Sequence, residues 1–147
     1  MATTPPSGTM ERAVQEAAVN GNVAELRRLR KGEAGGEPID ATDGFGNIAL
    51  HWAAMYGQLE AVQYLLHHGA SIDLPNKNNC TALHYAAHSG HAAVAQELAL
   101  YGANPRLTDS HGKTPLQRAE GIQDHRPAIK TAIQAGVAGQ DTSGAAT

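Results

Sequence analysis

The chain has 147 residues, of which 41% are hydrophobic and 17% charged, with a net charge of −3. These are ordinary proportions for one globular domain, and the charge is too small to argue for steering toward nucleic acid or an anionic membrane. The single cysteine, Cys80, cannot form an internal disulfide, so a reducing compartment is the default. No apolar run approaches a membrane span, and the N-terminus lacks the basic-then-apolar pattern of a secretory signal. Cytosol or nucleus is the expected location.

Residues 1–9 are rich in Thr, Pro and Ser and are predicted to be a disordered tail. A first helical unit follows over 10–43, with Ala17, Ala18, Leu26 and Leu29 as its core positions. In the second unit, 44–76, the run Asp43-Gly44-Phe45-Gly46-Asn47 is turn chemistry. A helix is predicted from Ala49 to Tyr56, a break at Gly57, and a second helix from Leu59 to His67. Ala61, Val62, Leu65 and Leu66 recur there at helical spacing and form one apolar face, and Gly69 suits a left-handed helix stop. The third unit, 77–109, repeats the pattern with Val94, Ala95, Leu98, Ala99 and Gly102. A fourth unit covers 110–136, and 137–147 reads by composition as a second disordered tail.

The units are copies. Ala49-Leu50-His51-Trp52-Ala53-Ala54 matches Ala82-Leu83-His84-Tyr85-Ala86-Ala87 at an interval of 33 residues, which also joins Leu83 to Leu116, Gly57 to Gly90 and Ile39-Asp40 to Ile72-Asp73. A fixed period of this length is the signature of a solenoid. Units one and two are offset by 36 residues, which places a three-residue insertion within Gly32–Pro38.

Asn79-Cys80-Thr81-Ala82-Leu83-His84-Tyr85-Ala86-Ala87, followed by Gly90-His91 and Gly102-Ala103, resembles the ankyrin repeat. The likeness covers roughly residues 10–136. Departures are Ile48 in place of threonine, Ala49 and Ala82 in place of proline, and Gln117 in place of the last histidine. The resemblance implies an all-α ankyrin-type solenoid of about four helix-turn-helix repeats joined by short hairpin-like turns. It also makes His51 and His84 structural, and Thr81 and Thr114 caps of their helices, worth about 1 kcal/mol each. Ile48 cannot cap unless Asn47 substitutes. Arg30 and Glu120 put charge where internal repeats bury apolar groups, as the end units of a solenoid require. A complete array with two full repeats between two caps is therefore expected.

Several patterns invite chemistry. His84, His88 and His91 lie close together, but no Cys pair or carboxylate completes a zinc set, so no metal or cofactor is expected. Gly44-Phe45-Gly46 lacks the third glycine and preceding strand of a phosphate loop, and no G-x-S-x-G elbow is present. Cys80 and His84 superficially suggest a nucleophile and base, against the structural role that the resemblance gives His84. The chain reads as a non-enzyme. The basic run Arg27-Arg28-Leu29-Arg30-Lys31 fits a solvated end face, or a site for phosphate or an acidic partner.

In proteins of this kind, partners are held on a concave face of turn tips and first helices. The matching positions in unit two are Phe45, Asn47, Trp52, Met55 and Tyr56. In unit three they are Lys77, Asn78, Tyr85, His88 and Ser89, and in unit four His111, Lys113 and Arg118. Four of the six aromatics fall here, which suits a recognition patch, in preference to the alternative that Trp52 and Tyr85 mainly shield neighbouring helices. The resemblance implies protein–protein recognition by an adaptor, scaffold or stoichiometric inhibitor, binding as a monomer to another protein, with no nucleic-acid or membrane partner. The alternative is the recognition domain of a larger enzyme, such as a membrane acyltransferase. The polar end units and tails count against that alternative.

Overall fold

The computed structural model describes residues 9–30, 39–119 and 126–145. Among them are eight helices and no strand: α1 Thr9–Asn20, α2 Val23–Arg30, α3 Ala49–Met55, α4 Leu59–His67, α5 Ala82–His88, α6 Ala92–Leu100, α7 Pro115–Arg118 and α8 Arg126–Ala145. Consecutive helices form hairpins. The first helices stack in the order α1, α3, α5, α7, and the second helices in the order α2, α4, α6, α8. The architecture is the expected all-α solenoid.

The helices are short because glycines stop them at fixed intervals. Gly57, Gly69, Gly90 and Gly102 all sit at positive φ, between 70° and 99°, where a residue without Cβ is least strained. Alanine does the stacking. Ala53, Ala54, Ala86 and Ala87 on the first helices are 0% exposed, as are Ala61 and Ala95 on the second. Larger side chains fill the seams between hairpins: Leu26, Leu50, Leu65, Leu83, Leu98 and Ile129 are all fully buried. Leu66, expected to be buried, is only half so.

The helix starts follow the motif where it is intact. The Thr81 hydroxyl accepts from the His84 amide, and Thr114 accepts from Gln117. Ile48 offers no acceptor, and Asn47 does not substitute, since its side chain pairs with Asn76 instead.

The end units depart from expectation. Unit four has a single-turn first helix, α7, and its second helix, α8, continues to Ala145. The reading of 137–147 as a disordered tail is therefore corrected as far as Ala145. Ile129, Ala132 and Ile133 are buried, and Val137 packs on the core. Gly136 lets the two backbones approach, since a Cβ there would stand 2.6 Å from the Gln96 carbonyl oxygen on α6. Thr9, assigned to the N-terminal tail, begins α1. The rest of that tail, the insertion within Gly32–Pro38, Glu120 and the side chain of Arg30 lie outside the described residues.

Candidate functional site

The turn tips are built on a second 33-residue ladder. Asp43, Asn76 and Asp109 each take the same place. Asp43 Oδ1 accepts from the amides of Phe45 and Asn47. Asn76 Oδ1 accepts from Asn78 and Cys80, and Asp109 Oδ1 from His111 and Lys113. One side chain thus fixes each loop by supplying the turn's missing acceptor. The left-handed residue within each turn is Gly46, Asn79 or Gly112. Neighbouring tips also join through their backbones: Lys77 N–H donates to the Phe45 carbonyl at 3.0 Å, and Ser110 N–H to Asn78 at 3.0 Å.

The other atom of each ladder residue reaches nine positions on, to the first helix. Trp52 Nε1 donates to Asp43 Oδ2 at 3.0 Å. Asn76 Nδ2 donates to the Tyr85 hydroxyl at 2.6 Å, and Arg118 Nε donates to Asp109 Oδ2. Trp52, Tyr85 and Arg118 are therefore half-buried and pinned at their polar ends. Trp52 and Tyr85 thus brace the turns. The spacing of the acceptors, legible in the chain, is the signal that could have revealed it.

Among the other expected contact residues, Phe45 is 69% and Tyr56 51% exposed. Tyr56 stacks on Trp52 with ring centroids 6.3 Å apart. Lys77, Asn78, His88, His111 and Lys113 are exposed, while Met55 and Ser89 are half-buried. Asn47 is a correction. It is 4% exposed, with Oδ1 accepting from Asn76 Nδ2 at 2.8 Å, and it cannot touch a partner. Between units three and four the surface opens into a cleft of about 280 Å³, lined by Asn78, Cys80, His84, Tyr85, His88, His111 and Arg118.

The motif histidines tie unit to unit. His84 Nδ1 accepts from the Thr81 amide at 3.1 Å, and Nε2 faces the Lys113 carbonyl at 2.9 Å. His51 Nδ1 accepts from Ile48, and Nε2 meets the carbonyls of Leu74 and Cys80. An amide only donates and a carbonyl only accepts, so each ring is held as the neutral Nε2–H tautomer. Burial lowers the pKa of both rings from the usual 6.5, although the backbone carbonyls oppose it. Gln117 supplies the Nδ1 role in unit four, its Oε1 accepting from Thr114 N–H. His91, from the starting end of α6, reaches the Met55 carbonyl through Nε2, as Gln58 reaches Val19 one unit earlier. Among the described residues no group of three His, Cys, Asp or Glu is placed to hold a metal.

This arrangement carries a pH dependence. The unfolded rings take up protons near 6.5 while the folded ones resist, so stability falls as pH drops below 6.5 and goes on falling until the lowered pKa is reached. Asp109 belongs to a different window. Burial alone would raise it, but Arg118 and the amides of Lys113 and His111 prevail and hold it at about 2. Its contribution is lost only as pH falls from 3.8 toward 2. Denaturant midpoints should therefore decline from pH 7 to 5. The pair His51→Gln and His84→Gln should flatten that decline, and an unchanged slope would contradict the assignment.

A family model described as ankyrin repeats (many copies) matches residues 14–66 and 50–99. The chain belongs to the ankyrin-repeat family. Such repeats are generally non-catalytic and serve as protein-interaction modules. Among curated relatives, 57 residues are 42% identical to palmitoyltransferase AKR1 of Yarrowia lipolytica, covering 39% of this chain and 8% of that protein. A match of 103 residues is 38% identical to the E3 ubiquitin-protein ligase Ufd4 of Drosophila melanogaster, covering 69% of this chain and 4% of that one. The chain thus spans less than a tenth of either relative. No helix among the described residues is long and apolar enough to cross a membrane.

Proposed function

We propose that this ankyrin-repeat chain is a non-catalytic recognition module that holds a protein partner on its turn tips and first helices. The observation that carries this reading is the distribution of exposure. Among the described residues, Phe45 and Tyr56 are the two most exposed large apolar side chains, and both lie at the expected contact positions. Lys77, Asn78, His88, His111 and Lys113 are exposed at the corresponding positions of the next two units. The hydrogen bonds that pin Trp52, Tyr85 and Arg118 support a preorganised surface, which loses little freedom on binding. Met55 and Ser89 would contribute at its edge. Binding as a monomer, in the cytosol or nucleus, agrees with the single cysteine and modest charge. Scaffold and stoichiometric inhibitor are both compatible with such a surface.

A second reading has its own support. Both relatives are named as enzymes, and each contains the matched repeats as a small part of its length. The chain would then be the recognition segment of a larger enzyme, with chemistry located elsewhere. The length of the native polypeptide on an immunoblot separates the two readings.

The binding face is tested with a partner captured from lysate, purified and titrated. Phe45→Ala and Tyr56→Ala should each weaken affinity by more than about 1 kcal/mol, as aromatic anchors do. Gln96→Ala, exposed on α6, should leave it unchanged. Trp52→Ala and Tyr85→Ala remove turn braces as well as contacts, so their denaturant midpoints must be read beside their affinities. Loss of binding with Gln96→Ala but not with the aromatic variants would sink the proposal.

A further inference from the structure

We propose that the cleft between units three and four receives an acidic side chain, a glutamate or aspartate carried by an extended segment of the protein partner. The inference rests on the reading that partners bind this face, and it assigns the chemistry of one position on it. The chain as a whole has a net charge of −3, yet among the described residues that line this cleft there is no carboxylate. Beside Cys80, Tyr85 and the joint histidine His84, it is lined by a guanidinium, two histidines not bound into the unit joints, and an amide: Arg118, His88, His111 and Asn78. Lys113, exposed, stands on the same turn as His111.

Asp109 offsets the charge of Arg118 but engages only one of its donors. The Asp109 side chain has no exposed surface, whereas Arg118 keeps 28% of its own. Asp109 engages the Nε of Arg118 and the amides of His111 and Lys113. That contact orients the planar guanidinium and leaves its Nη groups for a further acceptor. A fork held in this way suits the two oxygens of a carboxylate. The volume, about 280 Å³, fits one side chain with its flanking backbone.

Cys80 provides the readout, because the only cysteine of the chain lines the cleft. The full chain is alkylated with iodoacetamide in the presence of a short Gly/Ser peptide bearing central glutamates, and of versions carrying glutamine, lysine or phosphoserine instead. The glutamate peptide should slow alkylation saturably, with a half-point about tenfold below that of the glutamine peptide, equivalent to about 1.4 kcal/mol. The lysine peptide should give no protection. Lys113→Gln combined with His111→Gln should weaken the glutamate peptide several-fold at an unchanged denaturant midpoint. Equal protection by glutamine, protection by phosphoserine alone, or no protection by any peptide would each overturn the assignment. If the glutamate peptide fails while Phe45→Ala and Tyr56→Ala still weaken the native partner, only this inference falls. If both tests fail, the choice of face falls with it.

Discussion

Truncating Leu65 to alanine is expected to destabilise the chain by about 2–5 kcal/mol, the usual cost of emptying a packed core position. Leu65 is 0% exposed and lies on α4, which packs against α2 on one side and α6 on the other. Its counterparts in the flanking units, Leu29 and Leu98, are buried as well. A cavity there would loosen two joints at once, because each repeat contacts only its neighbours. Gln63, on the same helix and half-exposed, should cost under about 1 kcal/mol when changed to alanine. Urea melts of the two variants provide the comparison, and equal midpoints would mean that α4 is turned the wrong way.

The second large effect concerns α8. Replacing a mid-helix glycine with alanine ordinarily stabilises by about 0.5–1 kcal/mol. At Gly136 the added Cβ would meet Ala99 Cβ at 2.5 Å, the Gln96 carbonyl oxygen at 2.6 Å and the Leu100 amide nitrogen at 2.8 Å. Two of these atoms are backbone and cannot rotate away, so α8 must lift from α6. Overpacking of this kind costs about 1–3 kcal/mol, which exceeds the propensity gain. Gly136→Ala should therefore destabilise. Gly139→Ala is the internal control, because its Cβ would meet only the tip of Leu100 at 2.7 Å, and that flexible side chain can move. A thermal shift that rises for Gly136→Ala would remove the docked helix from this account.

The helix over 137–145, where composition predicts a tail, has a physical origin. Composition classed the segment, because Gly, Ala, Ser and Thr are common where chains do not order. The apolar stripe was nevertheless present. Ile129, Ala132, Ile133, Gly136 and Val137 follow helical spacing, and in a solenoid built on alanine a glycine can mark close helix approach rather than flexibility. By contrast, the Leu59–His67 helix was legible to the residue, because its periodic face and both flanking glycines agree.

The candidate face was partly legible. Repeat register placed Phe45 and Tyr56 at exposed positions, and the structure has them there. Register could not separate Asn47 from them, because whether an asparagine faces solvent or a neighbouring turn depends on the pairing partner. Here that partner is Asn76, one unit on. The braces from Asp43 to Trp52 and from Asp109 to Arg118 went unread for a related reason. Each links a turn to a helix nine residues later, a separation outside the helical and strand periods used to read the chain.

The central claim is that recognition occurs on the turn tips and first helices. Amide hydrogen exchange of the full chain, with and without its bound partner, tests it most directly. The account predicts added protection over the tips that contain Phe45, Asn78 and His111 and along α3 and α5, with α4 and α6 unchanged. Protection confined to α4, α6 and α8, with the tips unaltered, would contradict it.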